Sequence, residues 1–191
     1  MKTRFLNYSK RVFSTTYSSL FKYSDPSNPK VFLTVAKDNH EIGKLVFELY
    51  KKNCPKSVDN FLKICSGQND DKLSYKNTVF NKIINGYALQ GGNIVDEHED
   101  ERSIYSRNFP DENLKLKHTK RGTLSLDNHG PDTNSSKFIV TFTETPWLDG
   151  YHVVIGELVE GEKVLSEIEA YGTRDGKPKA EIKVVDCGNL L

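Results

Sequence analysis

The sequence predicts a mostly β domain, an antiparallel barrel whose open ends are plugged by two helices. Short β-type segments recur along the chain, and two amphipathic helical patterns lie far apart among them. The 191 residues also suffice for one domain with a full core, but not comfortably for two.

The elements follow in order. Val31–Ala36 and Lys44–Tyr50 read as strands around the polar turn Lys37–Gly43; in the second, Leu45, Phe47 and Leu49 alternate with Lys44, Val46 and Glu48. A helix starts near Pro55, a residue suited to a first helical turn. Val58, Phe61, Leu62 and Cys65 then recur at helical spacing, and Gly67 supplies a stop. Further strands are expected at Val79–Ile84, Tyr87–Gln90, Gly122–Leu126, Phe138–Phe142 and His152–Leu158. A second helix, about Glu162–Tyr171, gathers Val164, Leu165, Ile168 and Tyr171 on one face, and Ala180–Cys187 closes as a strand.

Composition excludes several classes. With 36% hydrophobic and 28% charged residues, the chain has the balance of a globular protein rather than a disordered one. Apolar runs never exceed three or four residues, so no transmembrane helix is expected. The net charge of +1 hides an asymmetry: of 27 basic residues, Lys2, Arg4, Lys10, Arg11 and Lys22 lie in an acid-free stretch at the N-terminus. The remainder is acidic overall and has no basic stripe for nucleic acid. Cys54, Cys65 and Cys187 are odd in number and form no CxxC pair, which argues for thiols in a reducing compartment over a disulfide framework.

Residues 1–30 read as a basic extension and linker ahead of a domain over 31–191. On a helix Leu6, Phe13, Tyr17 and Leu20 share one side with Arg4 and Arg11 nearly opposite, the make-up of a mitochondrial targeting segment. Arg11-Val12-Phe13-Ser14 also resembles a matrix-protease cleavage context. An exposed basic arm without an address is the alternative. Ser24–Pro29 reads as a short Pro/Ser linker.

Four blocks point one way: VFELYKKNCPKSVDNFLKICSG, FNKIINGYALQGGN, GTLSLDNHGPDTNSSKFIVTFTETPWLDGYHVVIGELVEG and AYGTRDGKPKAEI. In this order they resemble the cyclophilins, the peptidyl-prolyl cis–trans isomerases. The resemblance runs from about Val31 to Leu190. It implies a closed eight-stranded antiparallel β-barrel capped by two α-helices, acting on proline-containing peptide or protein segments without cofactor or metal. A lipocalin-type ligand barrel does not fit these blocks.

The reaction explains which residues matter. Amide resonance sets a barrier of about 18–20 kcal/mol to X–Pro isomerisation. A catalyst grips the proline ring in an apolar pocket and favours the twisted amide, whose nitrogen becomes a hydrogen-bond acceptor. By resemblance Gln90 and Asn128 hold the peptide backbone, while Trp147, Leu148 and His152 form one wall of the pocket. Lys82 stands where the family has the donating arginine, one flexible ammonium in place of a planar fork. Tyr87 replaces phenylalanine, Ala88 methionine and Ile139 phenylalanine, so the pocket loses packing surface worth about 1.5–3 kcal/mol per large side chain.

Beside the pocket Asp127 and His129 replace small alanines, and Lys137 replaces glutamine, which should narrow the groove. The paired changes predict an Asp127–Lys137 ion pair within 4 Å; two independent solvated side chains are the alternative. The loop Asp96–Arg102 is acidic where the family has glycines. It is read as a solvated loop or a docking surface for a basic partner, since the glycine and ligand spacing of an EF-hand are missing. Two functions follow: a cyclophilin-type domain with weak or absent catalysis, kept as a binding or structural subunit of a larger mitochondrial assembly, or an active mitochondrial isomerase assisting folding.

Overall fold

The computed structural model describes residues 23–190, so residues 1–22, which carry the basic side chains of the extension read as a targeting segment, lie outside the described residues. Among the described residues there are eight strands and two helices: β1 (Lys30–Lys37), β2 (His40–Leu49), α1 (Pro55–Ser66), β3 (Lys82–Ile84), β4 (Ala88–Gly91), β5 (Thr123–Leu126), β6 (Phe138–Thr141), β7 (Val154–Glu160), α2 (Glu162–Ala170) and β8 (Ile182–Leu190). A short 3-10 turn, Pro146–Leu148, precedes β7. The strands form one antiparallel sheet in the order β3-β4-β6-β5-β7-β2-β1-β8.

The β1–β2 hairpin is tighter than the sequence suggests. Asp38 and Asn39 both adopt positive φ, 45° and 68°, so β2 already starts at His40. Gly43 lies within the strand because α2 sits on it, with a Cβ there meeting Val164 Cγ2 at 2.6 Å. The stretch Ser24–Pro29 is clamped rather than loose. Glu48 accepts from Ser24 Oγ at 3.0 Å, the Asp25 N–H at 2.9 Å and Asn28 Nδ2 at 2.9 Å.

The first helix buries Val58, Phe61, Ile64 and Cys65 and ends on Gly67 in the left-handed region. Leu62, placed on its apolar face by the spacing, is only half-buried. Its N-terminus is capped from afar. The Glu112 carboxylate accepts the N–H groups of Lys56 at 3.0 Å and Ser57 at 2.8 Å.

The expected closed barrel is not formed; the sheet is a curled half-barrel with β3 and β8 as its edges. With three residues, β3 is too short to meet β8. Its outer edge is taken by the loop after α2, Ile83 N–H donating to Gly176 O at 2.9 Å and Thr173 N–H to Ile83 O at 3.1 Å. Residues 77–80 instead run beside β8, through Asn77 N–H to Val184 O at 2.7 Å and Phe80 N–H to Ile182 O at 2.9 Å.

Strand alternation sorts the sheet into two faces. Ile83, Leu89, Val140 and Leu124 stand in register across β3, β4, β6 and β5 and are fully buried in the core. One residue along, Lys82, Gln90, Ile139 and Ser125 form the matching row on the opposite face. Inside, Phe138 meets Phe61 and Tyr75 edge-on, with ring centroids 5.4 and 5.3 Å away. That cluster explains the glycines after Gln90: a Cβ on Gly91 would meet Phe80 at 2.5 Å, and one on Gly92 would meet Phe138 at 2.6 Å.

Candidate functional site

The outer row carries three of the candidate residues, Lys82, Gln90 and Ile139. Its register sets Lys82 opposite Gln90 and Gln90 opposite Ile139. The Lys82 stem runs over Gly176, where any Cβ would lie 2.7 Å from Lys82 Cγ, and the side chain is exposed. Among the described residues its ammonium has no carboxylate partner, so its charge is available to a ligand. Gln90 is half-buried and its amide likewise has no side-chain partner among the described residues.

The proline-side residues gather at the β3–β4 turn and the 3-10 turn. Tyr87 and Trp147 face each other with centroids 5.9 Å apart and planes inclined by 31°, and Trp147 is 59% exposed. Ala88, Ile139 and Leu148 are buried, Ala88 and Leu148 being the chain neighbours of Tyr87 and Trp147. His152 Nδ1 lies 3.0 Å from Leu126 O; donating there, it keeps Nε2 as the lone-pair nitrogen. The 3-10 turn is pinned by Asp149, whose Oδ1 accepts the His118 N–H at 2.8 Å and His118 Nδ1 at 3.0 Å.

Asn128 is tied into its own loop. Its Nδ2 donates to Tyr151 O at 2.8 Å, its Oδ1 accepts the Gly130 N–H at 3.2 Å, and its own N–H donates to Asp127 Oδ1 at 3.1 Å. Its main-chain carbonyl, the second Nδ2 hydrogen and one Oδ1 lone pair remain for a peptide. The expected grip on substrate backbone is therefore partly spent within the chain.

The charged residues meet as the sequence anticipates, with one addition. Lys137 Nζ lies 3.7 Å from Asp127 Oδ2, inside the expected ion-pair distance, but nearer still, 3.0 Å, to Glu101 Oε1. Glu101 also accepts from Ser135 Oγ at 2.7 Å. His129 Nε2 lies 2.7 Å from Glu101 and 3.2 Å from Lys137 Nζ; one ring nitrogen serves one of these at a time, donating or accepting. Burial alone would raise the Glu101 carboxyl. The hydrogen bonds from Ser135, His129 and Lys137 outweigh it and hold the group below its ordinary value.

Glu101 and Ser135 escape sequence reasoning. Glu101 is one acid among several in the loop 96–102, and nothing in spacing separates it from its neighbours. Its loop is braced by Arg102, which reaches Asp71 at 2.5 Å and Asp96 at 3.5 Å. Asp96 in turn accepts the His98 and Asp100 N–H groups at 2.9 and 3.1 Å. These bonds, led by that from His98, hold its carboxyl low despite burial's opposing pull. The loop is thus braced at Asp96 and Arg102, while Glu97 and His98 at its tip stay exposed to solvent. Among the described residues no three His, Cys, Asp or Glu side chains are grouped to hold a metal.

A groove of about 460 Å³ opens on the far side of Gln90, bordered by Asn81, Asn93, Glu101, His129 and Lys137. Tyr87, Ala88, Ile139, Trp147 and Leu148 do not line it. A peptide laid along the outer row would thus have an aromatic wall on one side of Gln90 and a charged groove on the other.

Residues 32–189 match the family described as cyclophilin type peptidyl-prolyl cis-trans isomerase/CLD. The chain belongs to the cyclophilin family. The match spans the whole sheet apart from the strand ends, together with both helices. A cyclophilin domain binds proline-containing segments. Among the described residues no helix is long and apolar enough to cross a membrane.

Proposed function

We propose that this cyclophilin domain binds proline-bearing segments with weak or no isomerase turnover and serves as a binding or structural subunit of a larger mitochondrial assembly. The observation that carries this is the Asp127 carboxylate. It occupies the Asn128 N–H and, with Glu101, engages Lys137 beside Gln90. A peptide backbone entering the groove must displace internal bonds that small neutral residues would not make.

Lys82 adds to the deficit. The twisted amide needs a donor aimed at nitrogen, and a guanidinium held by its planar fork keeps that aim at lower entropic cost than a mobile ammonium. A charge-assisted hydrogen bond is worth about 1.5–3 kcal/mol, so mis-aiming it forfeits about tenfold or more in rate. The acid-free basic extension supports the mitochondrial address, and the braced acidic loop Asp96–Arg102 offers carboxylates to a basic partner surface.

The second reading, an active mitochondrial isomerase, is favoured by one relationship: Lys82 and Gln90 remain opposite each other, and neither polar end has a side-chain partner among the described residues. A proline-isomerisation assay on the purified protein separates the two. Turnover near that of ordinary cyclophilins establishes the active enzyme and removes the degenerate one.

A further inference from the structure

The turn between β3 and β4, which carries Tyr87, is held from behind by a hydrogen-bonded path that starts on α2. Glu169 Oε1 accepts the Gly86 N–H at 2.9 Å, and the Glu169 main-chain carbonyl accepts from Asn85 Nδ2 at 3.2 Å. The other carboxylate oxygen, Oε2, accepts from Arg121 Nη1 at 2.5 Å. The same Nη1 donates to Phe142 O at 3.0 Å, and the Phe142 N–H donates to Tyr87 O at 2.8 Å. Turn, helix and the end of β6 are thereby joined around one guanidinium, whose Cζ also lies 5.4 Å from the Phe142 ring centroid.

We propose that Arg121 and Glu169 are positioning residues for the aromatic wall, fixing the turn Asn85–Tyr87 and so setting the Tyr87 ring against Trp147. This rests on the reading that the outer row receives the proline-bearing segment. The geometry gives the pair a task beyond joining α2 to the sheet. Glu169 holds the Asn85–Gly86 peptide unit through the Gly86 N–H, and Arg121, through Phe142, holds the Tyr87–Ala88 unit at Tyr87 O, so the chain is fixed on both sides of Tyr87. Arg121 has two further contacts on α2 that do not touch the turn, an ion pair with Glu162 and a bond from Nη2 to Ser166 Oγ at 3.1 Å. Those serve helix attachment alone. Positioning matters here because Ala88 and Ile139 offer little surface to a proline ring, leaving Tyr87 and Trp147 as its large partners.

Trp147 is the single tryptophan of the chain, so its emission reports on this wall alone. The test compares Arg121→Met, Arg121→Lys, Glu169→Ala, Glu169→Gln and, as a control, Glu162→Gln in the full chain. It measures Trp147 emission without ligand, affinity for an unlabelled tetrapeptide with Ala-Pro at its centre, and the thermal midpoint. Arg121→Met and Glu169→Ala are expected to shift the emission and weaken the peptide about three- to tenfold, the size of one or two lost hydrogen bonds. Glu169→Gln still accepts the Gly86 N–H and is expected to retain most of the affinity. Glu162→Gln, altering an ion pair whose carboxylate is 61% exposed, should leave emission and affinity unchanged. If Arg121→Met does not fold, Arg121→Lys, whose ammonium ends one bond short of the Nη1 that serves both Glu169 and Phe142, carries the same expectation.

Lowered midpoints with unchanged emission and affinity would reduce the pair to a fold-stabilising role and overturn the proposal. So would a Glu162→Gln variant as impaired as Glu169→Ala. A wild-type protein that binds no proline peptide overturns the reading of the groove instead, and the emission measurements then decide the positioning role by themselves.

Discussion

The main-chain N–H of Asn128 donates to Oδ1 of Asp127 at 3.1 Å, one residue back along the same loop. The Asp127 N–H is itself spent on Lys137 O at 2.9 Å, so the loop is stitched to β6 just where a peptide would cross it. Replacing Asp127 by alanine frees the Asn128 N–H and leaves Lys137 its nearer partner, Glu101. The gain of one hydrogen bond to a peptide is worth about two- to tenfold in affinity. Calorimetric titration of Asp127→Ala with a proline tetrapeptide should show tighter binding than wild type. Equal or weaker binding would mean that Asp127 does not compete with the ligand.

Lys82→Arg tests the missing fork directly. The Lys82 stem passes over Gly176, which has no side chain to obstruct a longer one, so arginine can follow the same path. Turnover is expected to rise about tenfold or more, the worth of one well-aimed charge-assisted bond in the transition state. Peptide affinity should change much less, because that bond forms fully only on the twisted amide. An unchanged rate in the isomerisation assay would place the deficit elsewhere in the groove.

The contrast between fold and site shows what a linear sequence encodes. The sequence patterns located each strand and helix of the described residues to within a few residues, since burial imposes its periods locally, although β3 forms only over Lys82–Ile84 of the expected Val79–Ile84. Barrel closure was not legible: it depends on which edge the 173–176 loop and residues 77–80 occupy, a competition among distant segments. The Asp127–Lys137 pair was legible because both sites changed together against a known pattern. Glu101 was not, because its approach to Lys137 depends on a loop braced through Arg102 to Asp71, 31 positions away. Arg121 was equally silent, its partners lying on α2 and, at Phe142, just past the end of β6.

The glycine after Gly91 should be far less replaceable than its neighbours in the turns. Gly92 has φ of 74°, and a Cβ there meets Phe138 at 2.6 Å and Ser136 O at 2.8 Å. Strain and overpacking act together, so Gly92→Ala is expected to cost about 2–4 kcal/mol. Gly130, with φ of 128° and nothing within 4 Å of its Cβ, provides the comparison: Gly130→Ala carries backbone strain alone. Urea denaturation of both variants measures the difference. Equal losses would show that Phe138 yields freely and that the aromatic cluster is not tightly packed.

His118 makes stability depend on mildly acidic pH. Its side chain is wholly buried, and its Nε2 has no hydrogen-bond partner among the described residues. Burial pushes its pKa below the ordinary 6.5, more than the hydrogen bond to Asp149 raises it. The native state therefore binds this proton less readily than the unfolded chain. The stabilisation is complete above pH 6.5 and declines as pH falls from there to the lowered native value, below which it is gone. Because Asp149 pins the turn bearing Trp147, the same protonation should loosen the wall. Thermal midpoints are expected to fall between pH 7.5 and pH 5, about the range in which histidine titrates, with a matching change in Trp147 emission. His118→Asn, which can still donate to Asp149 but does not titrate, should flatten both profiles in that range. If the variant follows the wild-type profile, another group is responsible for the acid sensitivity, and His118 holds the turn without sensing pH.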